Sequence, residues 1–143
     1  MQDHRTETAY WALRLTFGVV PIVAGLDKFT NLLADWAGYV SPLAARLLPV
    51  SPHAFMMAVG VIEIVVGAGV LAGRARIFGW IAAIWLLAIA VNLLATGQFL
   101  DVAARDVALA VSAFALAQLA PAHELAAARR PRPATAAQAE AHS

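Results

Sequence analysis

The stretch AFMMAVGVIEIVVGAGVLAG, residues 54–73, decides the class of this fold. It is a run of apolar and small side chains interrupted by one carboxylate, Glu63. An α-helix rises 1.5 Å per residue, so a run of about 20 residues covers the roughly 30 Å of a bilayer's hydrocarbon core. A helix that is apolar all round has no face to turn toward water and belongs inside a protein core or a membrane. Here the membrane is the better solvent. Of the 143 residues, 62% are hydrophobic and 13% charged, against roughly 45–50% and 25% in soluble domains. A soluble chain of this size has too much surface per volume to hide that excess.

Three further runs have spanning length: residues 9–28, 77–97 and 102–120. Period-two alternation is absent, which argues against a membrane β-barrel. The expected fold is all-α, an integral membrane four-helix bundle forming one domain over residues 9–120. The first run follows Asp3, Arg5, Glu7 and Arg14 and contains Pro21, so it reads as a retained span rather than a signal peptide. The connection from Phe29 to Pro52 is too short and interrupted to cross. Its Leu32, Leu33, Trp36, Tyr39, Val40 and Leu43 recur at helical spacing. This predicts a short interfacial helix in the outer loop between spans one and two, with Trp36 and Tyr39 at headgroup depth. Residues 1–8 and 121–143 flank the bundle, and the Ala-, Pro- and Arg-rich tail is expected to fray or be disordered beyond about Arg129.

Lys and Arg set the orientation. Four spans place Arg5, Arg74, Arg76, Arg129, Arg130 and Arg132 on one side. The other side holds Lys28, Arg46 and Arg105, offset by Asp27, Asp35, Asp101 and Asp106. The positive-inside rule then puts both termini in the cytoplasm. With net charge +1 and no basic stripe, nucleic acid is not an expected partner. The absence of cysteine excludes disulfides, thiolate nucleophiles and Cys-ligated metal centres on this chain. No zinc, P-loop or dinucleotide motif is present. His4, His53, His123 and His142 lie in termini or at span ends, where no bis-His haem pair forms inside the bundle. The expectation is no metal site and no redox centre of its own.

Ionisable groups inside a span cost roughly 2.5–3.5 kcal/mol each at the centre, so each one calls for a reason. At about 100° per residue, Arg14, Gly18, Pro21, Gly25 and Lys28 share one face of span one. Gly60, Glu63 and Gly67 share a face of span two. Trp85, Asn92 and Thr96 align on span three, and Asp106, Ala110, Ala113 and Ala117 on span four. Each span thus has a small-or-polar face for its neighbours and an apolar remainder for lipid. Glu63 lies near the midplane, where a carboxylate must be protonated or partnered. Arg14 leans the other way along an oppositely directed helix, so the Trp85 indole is the better-placed partner. Arg14 is also read as snorkelling to cytoplasmic headgroups. Asp27, Lys28, Arg105 and Asp106 form an expected outer-rim charge cluster, with Asp101 and Asp106 also favoured simply by a helix N-terminus.

These residues resemble the DoxX family of small bacterial and archaeal membrane proteins. The resemblance is carried by LRLTFGVVPIVAGLDKF (Leu13 to Phe29), VGVIEIVVGAGVLAGRARIFG (Val59 to Gly79) and ARDVALAVSAFALA (Ala104 to Ala117). It implies a four-helix bundle in a prokaryotic plasma (inner) membrane. Some relatives are the small membrane subunit of a thiosulfate:quinone oxidoreductase, and others associate with redox or oxidative-stress enzymes. A non-catalytic subunit of an oxidoreductase is therefore the first expectation, with a protein partner or a second copy alongside. It would hold a quinone or other lipophilic ligand between its helices. Arg14, Glu63, Trp85 and Asn92 are the candidate ligand contacts, and Lys28 and Asp106 would tie spans one and four together. A small proton-coupled transporter built on Glu63 is the alternative, and a purely structural or assembly subunit is a third.

Overall fold

A computed structural model describes residues 4–129. In chain order its elements are α1 (His4–Asp27), a 3-10 turn (Trp36–Tyr39), α2 (Pro42–Leu47), α3 (Pro52–Leu71), α4 (Ala75–Thr96) and α5 (Leu100–Ala128). The described residues contain no strand. Helices α1, α3 and α4 are long and apolar enough to cross a membrane. Helix α5 is the longest at 29 residues. It is rich in alanine and carries Asp101, Arg105, Asp106, Gln118 and Glu124.

Helix α1 packs mainly on α3 and α4 mainly on α5; contacts between α3 and α4 and between α1 and α5 close the ring. Both main seams are built from small residues. A Cβ added at Gly25 would lie 2.5 Å from the Gly60 carbonyl oxygen, and one at Gly60 would lie 2.6 Å from that of Gly25. A Cβ at Gly67 would strike the Gly18 carbonyl. The α4–α5 seam sets Gly79 against Ala113 and Ala117, with Ala82, Ala83, Ala90, Ala103, Ala110 and Ala120 buried around it. Where lipid solvates apolar side chains as well as another helix does, close backbone approach and dispersion contacts hold helices together. The outward faces are apolar, with Leu15, Val19, Val23, Val61, Val65, Ile84, Val91 and Val111 all exposed.

The glycine contacts also set the axial register, Gly18 against Gly67 and Gly25 against Gly60. Helix α1 therefore stops beside Gly60, about 12 Å short of the Pro52 end of α3. At the opposite end α1 runs on past Leu71, and its Tyr10 stacks on His123 of α5 at 4.1 Å.

The chain between α1 and α3 fills the space that α1 leaves. Its 3-10 turn packs on α3 and α2 packs on α4. Two Ser-Pro pairs punctuate it. Ser41 Oγ accepts from the Ala44 amide at 3.1 Å and Ser51 Oγ from the Ala54 amide at 3.2 Å. Each caps a helix whose first residue is proline, the position where a missing N–H costs nothing.

Two expectations need correction. The short helix of the outer loop is not one amphipathic element; a 3-10 turn and α2 are separated by Val40 and Ser41. Trp36 and Tyr39 are half-buried: their rings meet at 5.9 Å, and Tyr39 also packs on Phe99 at 4.7 Å. The second concerns the end of the last helix, expected near residue 120: α5 continues through Pro121 to Ala128. One proline removes one backbone bond, while the surrounding alanines favour helix and His123 is held by Tyr10 and Trp11. The rest of the expected tail, residues 130–143, lies outside the described residues, as do residues 1–3.

Candidate functional site

The polar centre of the molecule forms where α1 ends. Lys28 is 3% exposed and donates from Nζ to Glu63 Oε2 at 2.6 Å, with the Glu63 side chain 12% exposed. The same ammonium lies 3.7 Å from the centroid of the Trp36 ring, a cation–π contact strengthened by loss of water. Trp36 is itself fixed by its indole N–H, which donates to Asp27 Oδ2 at 2.7 Å. Asp27 also accepts from the Thr30 hydroxyl at 3.0 Å and from the backbone amides of Leu32 and Leu33 at 2.9 and 3.0 Å. Thus two adjacent residues divide the work. Asp27 folds the loop back over the helix end, and the folded loop cages Lys28 against Glu63.

Asp106 approaches from α5. It is 5% exposed. Its nearest cation is Arg105, at 3.7 Å from Nε to Oδ1, whose side chain is 66% exposed. The four residues expected as an outer-rim charge cluster take separate partners. Asp27 serves the loop, Lys28 pairs with Glu63 rather than bridging to Asp106, and Arg105 faces outward. The glycine register brings the end of α1 to the level of Gly60, where Lys28 meets Glu63.

The four candidate ligand residues also separate. Arg14 is level with the end of α3. It donates from Nε to the Val70 carbonyl at 3.1 Å and from Nη2 to the Leu71 carbonyl at 2.7 Å. A third bond runs from Nη1 to the Tyr10 hydroxyl at 3.4 Å, and the guanidinium lies 4.8 Å from the Trp11 ring centroid. It satisfies carbonyls that a helix C-terminus leaves without partners and complements the dipole there. Asn92 clamps the loop, accepting from the Ser41 amide at 3.1 Å and donating to the Tyr39 carbonyl at 2.7 Å.

Glu63 and Trp85 remain. The two do not hydrogen-bond. Among the described residues, Trp85 Nε1–H is the enclosed side-chain polar atom with no partner. Phe78 of α4 packs over Gly69 of α3. Seven residues on along α4 is Trp85 and seven back along the antiparallel α3 is Ile62, so Trp85 stands at the depth of Glu63. The polar centre thus offers a caged cation beside the Glu63 carboxylate, and α4 carries a spare N–H donor, that of Trp85, at the same depth. Among the described residues no group of three or more His, Asp or Glu is placed to hold a metal ion.

Sequence reasoning found every charged member of this centre but missed Trp36 as part of it, reading it as a membrane-surface aromatic. The adjacent Asp27-Lys28 pair followed by a tryptophan was the available signal. The Tyr10–His123 stack joins residues 113 positions apart and left no local trace.

Residues 9–97 match a family model described as DoxX. No curated protein matches, and no solved structure matches.

Proposed function

We propose, for a chain that belongs to the DoxX family, a role as a membrane subunit that holds a quinone-like lipophilic ligand beside Glu63 and Trp85 and works with a redox partner. In this reading α5 is the fourth crossing, both termini are cytoplasmic, and the host membrane is a prokaryotic plasma membrane. The positive-inside balance of the flanking Arg residues supports the orientation. The packing of α5 along α4 and against α1 supports the fourth crossing. Segment 29–51 then sits at bilayer depth beside the outer third of α3. Irregular backbone is tolerated there only where protein satisfies it, and Asp27 and Asn92 do so for Leu32, Leu33, Tyr39 and Ser41. Its Leu32, Leu33, Leu43 and Leu47 are largely exposed, as side chains meeting lipid would be.

The observation that carries the ligand assignment is the unpartnered Trp85 N–H at the depth of the Lys28–Glu63 pair. An indole donor enclosed without an acceptor is costly, and a carbonyl oxygen on an apolar ring meets both needs of the site. A quinone supplies that pairing. The electrons come from a partner, since this chain offers no redox group of its own.

Purification in mild detergent tests the reading. Solvent extraction of the pure protein is expected to yield quinone in stoichiometric amount. Extraction from Trp85→Phe is expected to yield much less at unchanged protein recovery. A protein that purifies without quinone and without a redox partner overturns the assignment.

A further inference from the structure

At the end of the molecule away from Lys28 the four long helices do not stop together. Arg14 of α1 lies level with the last residues of α3, donating to the Val70 and Leu71 carbonyls. From there α1 runs on to His4, a rise of about 15 Å. Helix α5 passes Gly79 of α4 at Ala113 and Ala117 and continues to Ala128, about 10 Å beyond the level of Ala75. The two projecting helices are joined by the Tyr10–His123 stack at 4.1 Å. The turn between α3 and α4, residues 72–74, is therefore a step at the foot of a two-helix wall.

The step is cationic. Arg74 and Arg76 are exposed, and among the described residues neither side chain takes part in a salt bridge or hydrogen bond. Arg14 reaches the same turn, since a Cβ added at Gly73 would lie 3.6 Å from its Nη2. It offsets the negative end of α3, so that helix end does not cancel the two exposed guanidinium groups. Asp27, Asp35, Glu63, Asp101 and Asp106 lie deeper or at the opposite end, and Glu7 and Glu124 belong to the projecting helices. The surface flanking the cations is apolar, with Leu71, Ile77 and Trp11 exposed. Guanidinium groups bind phosphate oxygens through paired N–H donors. Cations at the edge of an apolar helix surface therefore match a ligand with an anionic head and hydrocarbon chains.

We propose that the α3–α4 step binds one anionic phospholipid, its phosphate held by Arg74 and Arg76 and its acyl chains running along Leu71 and Ile77. A free phosphate ion shares the head chemistry but gains nothing from the apolar flank, and an acidic protein segment brings charge without chains. The site rests on the membrane placement of the helices and is independent of any quinone.

The test is native mass spectrometry of the full chain, stripped of lipid in a neutral detergent and titrated with phosphatidylglycerol or with phosphatidylcholine of the same chains. One phosphatidylglycerol is expected to bind in preference to phosphatidylcholine. Arg74→Gln combined with Arg76→Gln is expected to weaken that binding by about tenfold or more, from roughly fivefold per arginine at a membrane surface. Arg46→Gln combined with Arg129→Gln removes the same charge from other exposed positions and is expected to change the affinity by less than about twofold, because distant exposed charges are screened. Circular dichroism checks that both double variants keep their helices. Inorganic phosphate and polyglutamate are each expected to leave the complex intact. Equal binding of the two lipids, an unchanged affinity in the Arg74 and Arg76 variant, or an equal loss in the Arg46 and Arg129 variant overturns the proposal. Displacement by inorganic phosphate assigns the step to a free anion, and displacement by polyglutamate to an acidic protein segment; either overturns the lipid assignment.

Discussion

Removing one partner of the Lys28–Glu63 pair is expected to cost far more than removing both. Lys28 is 3% exposed and Glu63 12%, and a single short bond of 2.6 Å joins them. Lys28→Met leaves the Glu63 carboxyl buried without its donor, and Glu63→Gln takes from the buried ammonium its one short bond to a carboxylate. Breaking a buried pair in this way costs about 3–5 kcal/mol. Replacing both by apolar groups of similar volume, Lys28→Met with Glu63→Leu, returns the centre to near neutrality in stability, because the desolvation of two charges is also removed. The coupling energy from the double-mutant cycle is then several kcal/mol, well beyond the 0.2–1 kcal/mol typical of exposed pairs. Unfolding of the purified proteins in mixed micelles, followed by circular dichroism, measures each corner. Single variants within about 1 kcal/mol of the wild type would show that the pair is solvated, and the burial argument would fail.

Other substitutions separate the packing, capping and loop contributions. Gly60→Ala sets a methyl group 2.6 Å from a backbone oxygen of α1, which no rotamer change relieves; a loss of about 1–3 kcal/mol is expected in the same assay. Arg14→Met strips the Val70 and Leu71 carbonyls of charged donors and is expected to cost about 2 kcal/mol or more, with Arg14→Lys recovering only part. Asn92→Leu leaves the Tyr39 carbonyl and Ser41 amide unsatisfied, so amide hydrogen exchange is expected to accelerate across residues 36–47 before the rest of the chain. Trp85→Phe removes an enclosed N–H that has no partner, so the ligand-free protein is expected to be as stable as the wild type or more so while bound quinone falls.

The class of fold was legible because apolar runs of membrane length have few alternative readings. The seams were legible too: Gly18, Gly25, Gly60 and Gly67 recur at seven-residue spacing, and that period brings them to one face. What the runs do not encode is how far one helix slides along another. A shift of the α1 end by about two helical turns moves Lys28 along α3, and with it changes the partner of Glu63. That shift depends on which glycine meets which, a property of two segments at once. Arg14 was misread for the same reason, since its role depends on where α3 ends beside it. Asn92 was recognised as a polar residue facing inward, but its partners are backbone atoms of a loop, which carry no residue-type signal. The Ser-Pro caps at Ser41 and Ser51, which mark the starts of α2 and α3, are local signals that went unread.

The account depends on four crossings that place the Lys28–Glu63 pair inside the bilayer, and the chain's lack of cysteine makes that measurable. Single cysteines at Ser51, Arg74, Gln98 and Arg129 would be challenged with a membrane-impermeant maleimide on intact spheroplasts. The expected result is labelling at Ser51→Cys and Gln98→Cys from outside, and at Arg74→Cys and Arg129→Cys only after permeabilisation. Labelling of Gln98→Cys and Arg129→Cys from the same side would show that α5 does not cross, and would contradict the account.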